Sequence, residues 1–114
     1  MNHPKSVRLV EVGPRDGLQS VQATMPTAHK LAWISALHGA GLREIEVGSF
    51  VPPRLMPQLA DTAQVLAIAR TLPGLKASVL VPNLQGAERA LEGQADLMIL
   101  PLSASHAHSL ANLR

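Results

Sequence analysis

Strand-like and helix-like segments alternate along this chain, and that alternation limits the folds it can adopt. Short β-branched stretches that stop at Gly or Pro predict strands, and stretches with apolar residues at helical spacing predict helices. A helix between two strands favours a right-handed crossover and a parallel sheet, so the pattern predicts an α/β protein. The predicted strands cover residues 7–12, 43–48, 76–81 and 96–100, and the predicted helices cover 27–40, 61–72 and 84–91, with a fourth starting at His108.

The predicted strands also start at a regular interval of about 30 residues, close to the roughly 31 per unit of a (β/α)₈ (TIM) barrel. A complete barrel needs about 250 residues, whereas this chain has 114. We therefore expect residues 1–114 to form one domain of parallel β/α units that makes up about the first half of a TIM barrel. A small open α/β sheet is the alternative.

Composition argues against several classes of function. The ten Lys and Arg residues are scattered, the formal net charge is +2, and aromatic residues make up 2% of the chain, so no nucleic-acid platform is expected. Because the chain has no cysteine, neither a disulfide framework nor a thiolate metal cage is available. The residues after Met1 lack the apolar core of a signal peptide, and no run approaches the roughly 18 apolar residues of a membrane span. A globular protein of the cytoplasm, without membrane contact, is expected.

The spacing of apolar residues in the first predicted helix indicates which side chains face the core. Leu31, Ile34 and Leu37 recur every three residues and predict the apolar face of the first helix. On this interpretation Lys30 and His38 face elsewhere.

The start of the second helix is predicted from a cap and from prolines. Prolines at positions 52, 53 and 57 argue against regular structure up to Asp61. Asp61 is then expected to cap the helix with its side chain.

The most distinctive stretch follows the first predicted strand, where Gly13-Pro14 stops the strand and Arg15 and Asp16 stand side by side. In α/β proteins the carboxyl ends of parallel strands face the ligand. Arg15 offers a permanently charged fork for a carbonyl, carboxylate or enolate oxygen, and Asp16 is a hard oxygen ligand suited to Mg²⁺ or Mn²⁺. The pair predicts a site for a metal-bound oxyanion, and a structural salt bridge in a loop is the alternative.

Glu46 lies near the end of the second predicted strand and would reach the same mouth if the sheet is parallel. It could orient Arg15 or take part in proton transfer, or it could be a solvated or helix-capping carboxylate. Other polar residues also follow strand ends, and each alone is more typical of a turn than of a ligand contact. They are Gln19, Ser49, Asn83 and Ser103.

The pair His106 and His108 has the spacing that would place two imidazoles on one face of a strand. The pair stands at a predicted helix start, however, where positions i and i+2 point about 200° apart. We therefore do not expect these residues to bind a metal. The chain also contains neither a P-loop nor a Gly-x-Ser-x-Gly elbow, so nucleotide-triphosphate and hydrolase functions lose their usual support.

Four stretches extend the argument from single residues to a family. The chain contains VEVGPRDGLQ at residues 10–19, IEVGSFV at 45–51, VPNL at 81–84 and LSAS at 102–105. Together they resemble the 3-hydroxy-3-methylglutaryl-CoA lyases, which belong to the metallolyases named for an Asp, Arg and Glu trio on a TIM barrel. The likeness runs over nearly the whole chain, and its first motif is highly specific.

The resemblance implies a cleavage of 3-hydroxy-3-methylglutaryl-CoA to acetyl-CoA and acetoacetate, assisted by a divalent cation such as Mg²⁺ or Mn²⁺. It implies that Asp16 is a metal ligand and that Arg15 stabilises the enolate oxygen of the leaving acetyl-CoA. Glu46 would support Arg15 and the proton transfers. Gln19 and Ser49 would line the acyl pocket, and Asn112 matches an Asn of the family near the substrate.

The chain departs from the family pattern at two places. After Gln19 the family often has Asn-Glu-Lys, whereas this chain has residues 20–22 as Ser-Val-Gln and so lacks a basic contact. An acidic residue usually follows Ser105, but here His106 does. The family's metal-binding His-x-His strand, its reactive-cysteine loop and a later Asn ligand have no counterpart within these 114 residues.

For these reasons the chain by itself is expected to be a poor catalyst. The fourth predicted strand would present an unpaired edge, so we expect a homo-oligomer or association through that edge. Two other functions stay open at this stage: a related metallolyase or synthase of the isopropylmalate or homocitrate type, and a non-catalytic α/β module.

Overall fold

A computed structural model describes residues 2–112, apart from the side chains at positions 109 and 112. Three strands form its sheet: β1 (Glu44–Ser49), β2 (Lys76–Leu80) and β3 (Leu97–Ile99). The α-helices are α1 (Thr27–Gly39), α2 (Thr62–Ala69), α3 (Leu84–Glu92) and α4 (His106–Asn112). A π-helical turn at Gly13–Gly17 and a 3₁₀ turn at Pro57–Leu59 complete the elements.

The sheet is parallel throughout, with the order β1-β2-β3. A helix lies in each connection, α2 between β1 and β2 and α3 between β2 and β3. Because parallel strands need such crossovers, this arrangement confirms the α/β class that the sequence predicts.

The core lies between one face of the sheet and the helices. Alternate residues of β1 and β2 point into it, and apolar side chains of α1, α2 and α3 cover them. The apolar side chains with the least exposure are Ile34, Ile45, Val65, Leu66, Ala69, Ala77, Val79 and Ala90. The helices thus cover one face of the sheet, and the other face carries Glu46 and Ser78 together with the apolar residues Leu80 and Ile99.

The first predicted strand, residues 7–12, does not form a strand in the structure. Its alternating residues Val7 and Leu9 are 84% and 68% exposed, and only Glu11 pairs with the sheet, as a single parallel bridge to Ile45. The Glu11 N–H donates to the Glu44 carbonyl at 3.1 Å, and the Glu11 carbonyl accepts from the Glu46 N–H at 2.9 Å. A strand forms where side chains pack and not from alternation alone, which explains why the prediction was wrong. The bridge still fixes the chain beside β1 just before the turn at Gly13.

Lys30 is also placed differently from the prediction. Its side chain does not face away from the core but is 1% exposed. It lies one helical turn before Ile34 and two before Leu37, so the three residues share one face of α1. The spacing contained this information, but the residue type pointed the other way.

Three smaller corrections concern element ends. The side chain of Asp61 makes no capping bond to α2, because its two oxygens accept from Lys30 and Thr27 instead. The 3₁₀ turn at Pro57–Leu59 shows that the prolines do not exclude all regular structure before Asp61. Finally, α4 begins at His106, two residues before the predicted start.

Within residues 2–112, no helix combines the length and the apolar character that crossing a membrane requires. The expected cytoplasmic location stays a prediction.

Candidate functional site

The turn that carries the predicted site is built on one carbonyl. The backbone N–H groups of Arg15, Asp16 and Gly17 all point at the carbonyl of Val12, at 3.1, 2.7 and 3.4 Å. This wide turn places two consecutive charged side chains next to the carboxyl end of β1. The site therefore depends on local backbone geometry as well as on side-chain chemistry.

Gly13 opens this turn in a space that no larger residue fits. A Cβ built on Gly13 would lie 2.7 Å from the Oε1 atom of Glu11 and 2.8 Å from two ring carbons of Trp33. The Glu11 carboxylate accepts from the Gly13 N–H at 3.1 Å. Trp33 of α1 and Glu11 together fix the start of the turn. This role was not predicted from the sequence for either residue.

Arg15 is the centre of the site. Its Nε donates to the Oε1 atom of Glu46 at 2.7 Å, and its Nη1 donates to Gln19 Oε1 at 3.1 Å and to Asp16 Oδ1 at 3.3 Å. The structure therefore brings together four of the residues singled out in the sequence. In the described part of the chain no residue accepts a hydrogen bond from Nη2, which leaves that group available to a ligand.

Burial divides the site into a fixed part and an accessible part. The side chain of Glu46 is 3% exposed and that of Arg15 is 15% exposed, whereas that of Asp16 is 63% exposed. The buried Arg15–Glu46 pair holds the guanidinium in one orientation, because a charge-assisted bond of this length is strong. The Asp16 carboxylate faces solvent at the rim. Of the two carboxylates, only that of Asp16 is therefore accessible to a ligand from solvent.

A β-bulge in β1 determines which residues accompany Glu46. Glu46 pairs with Ser78 and Ser49 pairs with Leu80, because the register shifts between Glu46 and Gly48. Ser78 and Leu80 are two residues apart on β2, so they point to the same face of the sheet. Glu46 and Ser49 therefore share a face although they are three residues apart, an odd spacing that a regular strand would split between faces.

Ser49 is buried, and whereas Gln19 bonds to Arg15, Ser49 bonds to Thr62 and Val51. Its backbone N–H donates to Thr62 Oγ1 at 3.1 Å, and its hydroxyl accepts from the Val51 N–H at 3.3 Å. Thr62 in turn donates to the Leu59 carbonyl at 2.7 Å. The structure therefore puts Ser49 on the face of Glu46 and ties it to the start of α2, with no direct bond to Arg15 among the described residues.

Two other predicted residues, Asn83 and Ser103, make hydrogen bonds outside this group. Asn83 caps α3, where its Oδ1 accepts from the Gly86 N–H at 2.8 Å, and Ser103 bonds to Nδ1 of His108 at 2.8 Å. The side chain of Asn112 lies outside the described part of the chain.

The donor set fits a divalent cation in part. Asp16 supplies an exposed, hard carboxylate with one oxygen bound to Arg15. Among the residues that the structure describes, no group of three or more His, Asp or Glu residues could hold a metal ion. Mg²⁺ is often held by one or two carboxylates with water and substrate oxygens as its other ligands, and Asp16 is compatible with that mode.

The fold and this site together define a class: a parallel α/β segment of TIM-barrel type with an Arg, an Asp and a Glu gathered at the carboxyl ends of its strands. The chain belongs to the HMGL-like family, whose model matches residues 6–114.

Known proteins similar to this chain are hydroxymethylglutaryl-CoA lyases. The chain is 48% identical over 113 residues to the 3-hydroxy-3-isohexenylglutaryl-CoA/hydroxy-methylglutaryl-CoA lyase of Pseudomonas aeruginosa. The aligned region covers 99% of this chain and 38% of the relative. The crystal structure of hydroxymethylglutaryl-CoA lyase from P. aeruginosa superposes with a TM-score of 0.90 over 99% of this chain and 38% of that one, at 48% identity. A lyase from Acinetobacter baumannii in complex with coenzyme A and 3-methylmalate superposes with a TM-score of 0.87, at 42% identity, over 93% of this chain and 35% of its own.

These matches settle the family and its fold. The chain spans just over a third of the length of these relatives. Because the relatives carry lyase names, they do not favour the synthase alternative.

Proposed function

We propose that residues 1–114 form the N-terminal half-barrel segment of a lyase that cleaves 3-hydroxy-3-methylglutaryl-CoA to acetyl-CoA and acetoacetate, and that this segment carries the Arg15, Asp16 and Glu46 part of the active site. The observation that carries the proposal is the partly buried bond from Arg15 Nε to Glu46 Oε1 at 2.7 Å, which holds a cation in one orientation beside Asp16. The lyase names of the relatives at 48% and 42% identity supply the reaction.

In this reaction the tertiary hydroxyl of the substrate loses its proton, the bond between C2 and C3 breaks, and C3 becomes the ketone of acetoacetate. The electron pair of the broken bond moves to the acetyl-CoA fragment as an enolate, which then takes up a proton at carbon. Negative charge therefore grows on the thioester oxygen. Arg15 would donate an N–H to that oxygen, and a preorganised donor of this kind lowers the barrier by about 3 kcal/mol.

The other residues have supporting parts in this proposal. Glu46 keeps the guanidinium from turning and lies on the face where the proton transfers take place, and Gln19 fixes Arg15 from the other side. Gln19 and Ser49 would line the acyl pocket, together with Asn112. Asp16 would hold a divalent cation, Mg²⁺ or Mn²⁺, which when bound would polarise the substrate's oxygens.

The test measures both binding and turnover, because the chain alone is expected to be a poor catalyst. Binding of 3-hydroxy-3-methylglutaryl-CoA in the presence of Mg²⁺ is followed by the fluorescence of Trp33, the single tryptophan, which contacts Gly13. Acetoacetate release is measured at high protein concentration with and without EDTA. We expect cation-dependent binding that Arg15→Met abolishes and that the control Arg70→Met, an exposed residue at the end of α2, leaves intact.

Two results would overturn this function. One is the absence of both binding and acetoacetate release, which favours a non-catalytic module. The other is condensation of acetyl-CoA with a 2-oxo acid, which favours a synthase. The acyl specificity is tested in parallel with 3-hydroxy-3-isohexenylglutaryl-CoA, since the name of the P. aeruginosa relative includes it.

We also propose that the outer edge of β3 associates with a second copy of the chain. Leu97 is 36% exposed, and Leu100, directly after the strand, is 71% exposed. An exposed apolar edge strand is a template for pairing with another chain.

A further inference from the structure

A partly buried charged cluster, centred on the buried Lys30, joins two loops beside the site. Lys30 Nζ donates to Asp61 Oδ1 at 2.6 Å and to the carbonyl of Gln58 at 2.5 Å, and Thr27 Oγ1 donates to Asp61 Oδ2 at 2.6 Å. Gln58 Nε2 also donates to the carbonyl of Val21 at 2.7 Å. We call the residues Thr27, Lys30, Gln58 and Asp61 the loop clamp.

Each of the two loops that the clamp joins begins directly after a proposed acyl-pocket residue. The first loop, residues 20–26, follows directly on Gln19 and leads into α1, where Lys30 lies. The second loop, residues 50–61, starts directly after Ser49 and ends beside Thr62, whose Oγ1 accepts from the Ser49 N–H. The clamp therefore connects the loop of Gln19 to the loop of Ser49, directly through Gln58 and Val21 and indirectly through the start of α1.

Burial distinguishes this cluster from an ordinary surface ion pair. The side chain of Lys30 is 2% exposed and that of Asp61 is 18% exposed. Removing an ammonium from water is costly, and apolar residues of similar volume often stabilise a core equally well or better. An ion pair does what an apolar contact does not, because its short directional bonds fix one relative position of the two loops.

We propose that Lys30 is a positioning residue: through Asp61 and Gln58 it sets the distance between the loops of Gln19 and Ser49 and thereby the affinity for the acyl part of the substrate. This inference rests on the proposed function for its ligand. The clamp itself does not touch Asp16, so it acts on acyl binding and leaves the cation site alone.

The test removes the clamp without leaving a buried charge unpaired. In the double variant Lys30→Met/Asp61→Asn both charges disappear, whereas Gln58→Ala removes only the side-chain bond to Val21. Lys76→Met, at an exposed lysine at the start of β2, controls for a lysine-to-methionine exchange outside the clamp. For each protein, Trp33 fluorescence gives separate dissociation constants for Mg²⁺ and for 3-hydroxy-3-methylglutaryl-CoA, and amide hydrogen exchange reports on residues 50–61.

In the double variant we expect the Mg²⁺ dissociation constant to stay within about twofold, while that for the acyl-CoA rises roughly tenfold or more, since small misplacements weaken binding strongly. Exchange of the amides in residues 50–61 should become faster, and that of the β2 amides should not change. Gln58→Ala should show the same pattern more weakly, and Lys76→Met should match the parent.

Several outcomes would overturn the inference. Unchanged exchange in residues 50–61 would show that the clamp does not hold the loop, and faster exchange with unchanged acyl-CoA affinity would show that the loop distance does not matter. Equal losses of Mg²⁺ and acyl-CoA affinity together with global unfolding would mean that the cluster only supports the fold. If the parent chain binds no acyl-CoA, the proposed function fails by itself, and the exchange of residues 50–61 still decides whether the clamp positions the loop.

Discussion

Replacing Gly48 by Ala should damage both the fold and the site, because Gly48 faces a side chain that has no room to move. A Cβ built on Gly48 would lie 2.4 Å from Thr62 Oγ1, 2.6 Å from Thr62 Cγ2 and 2.9 Å from Thr62 Cβ. Thr62 is 2% exposed, and its hydroxyl both accepts from Ser49 and donates to Leu59. Rotating Thr62 away from the new methyl group would break both bonds.

The expected cost follows from these contacts. Overpacking a well-packed interior costs about 1–3 kcal/mol, and each lost hydrogen bond adds about 1 kcal/mol. The chain can either keep Thr62 in place and accept the overpacking, or rotate Thr62 and lose both hydrogen bonds. Both responses are costly, so we expect the free energy of unfolding to fall by about 3 kcal/mol. With a typical urea dependence of about 1.5 kcal/mol per molar, the unfolding midpoint should fall by about 2 M.

Urea unfolding followed by circular dichroism measures this change. Gly39→Ala is the matched control, because nothing lies within 4 Å of a Cβ at the end of α1, and it should be neutral or stabilising by about 0.5 kcal/mol. The double variant Gly48→Ala/Thr62→Ala removes two of the three close approaches, so its cost should be at least about 1 kcal/mol smaller than the sum of the single costs. Additive costs, or a cost for Gly48→Ala below about 0.5 kcal/mol, would refute the reasoning.

Three further predictions concern the pair, a cap and the sheet edge. Glu46→Gln keeps an oxygen acceptor but loses the charge of a buried pair, so urea unfolding should show a loss of about 1–2 kcal/mol, and no loss would mean that the pair contributes little. Asn83→Ala should cost about 1 kcal/mol because it removes the cap of α3, whereas Asn83→Asp should keep most of that stability; equal costs would contradict the capping role. Leu100→Lys should lower the oligomeric fraction in size-exclusion chromatography with light scattering, and Leu55→Lys, an equally exposed site in another loop, should not; equal effects of the two would contradict association through β3.

Much of the architecture could be predicted from patterns that repeat along the chain. The strand boundaries of β1, β2 and β3 and the bounds of α1 and α3 agree with the predictions to within one or two residues. These segments are bounded by Gly, Pro or Asn, residues whose backbone restrictions act locally and can be recognised in a sequence. The first predicted strand failed because its pairing depends on a neighbour, and only Glu11 meets one.

The charged residues of the site could be predicted from the sequence, whereas the residues that hold them and the neighbouring loops in place could not. Arg15, Asp16 and Glu46 can be recognised because charged residues at the ends of predicted parallel strands are typical of ligand-binding sites. Lys30 does not, since its partner Asp61 is 31 residues away along the chain and a lysine on a helix is normally solvated. The bulge in β1 left one trace, a glycine at position 48, and a glycine after a β-branched stretch also predicts a strand end.

The bulge has a consequence for how this chain tolerates changes in length. Deleting one residue between Glu46 and Ser49 would restore strict alternation and leave the two side chains on the same face, but it would remove Gly48 or Val47 and shift every later residue of the loop by one place. An insertion there, with the bulge kept, would instead turn the Ser49 side chain to the opposite face of the sheet. In homologous sequences, gaps should therefore be rarer across these four positions than substitutions, because any gap displaces the whole segment after β1 relative to Glu46.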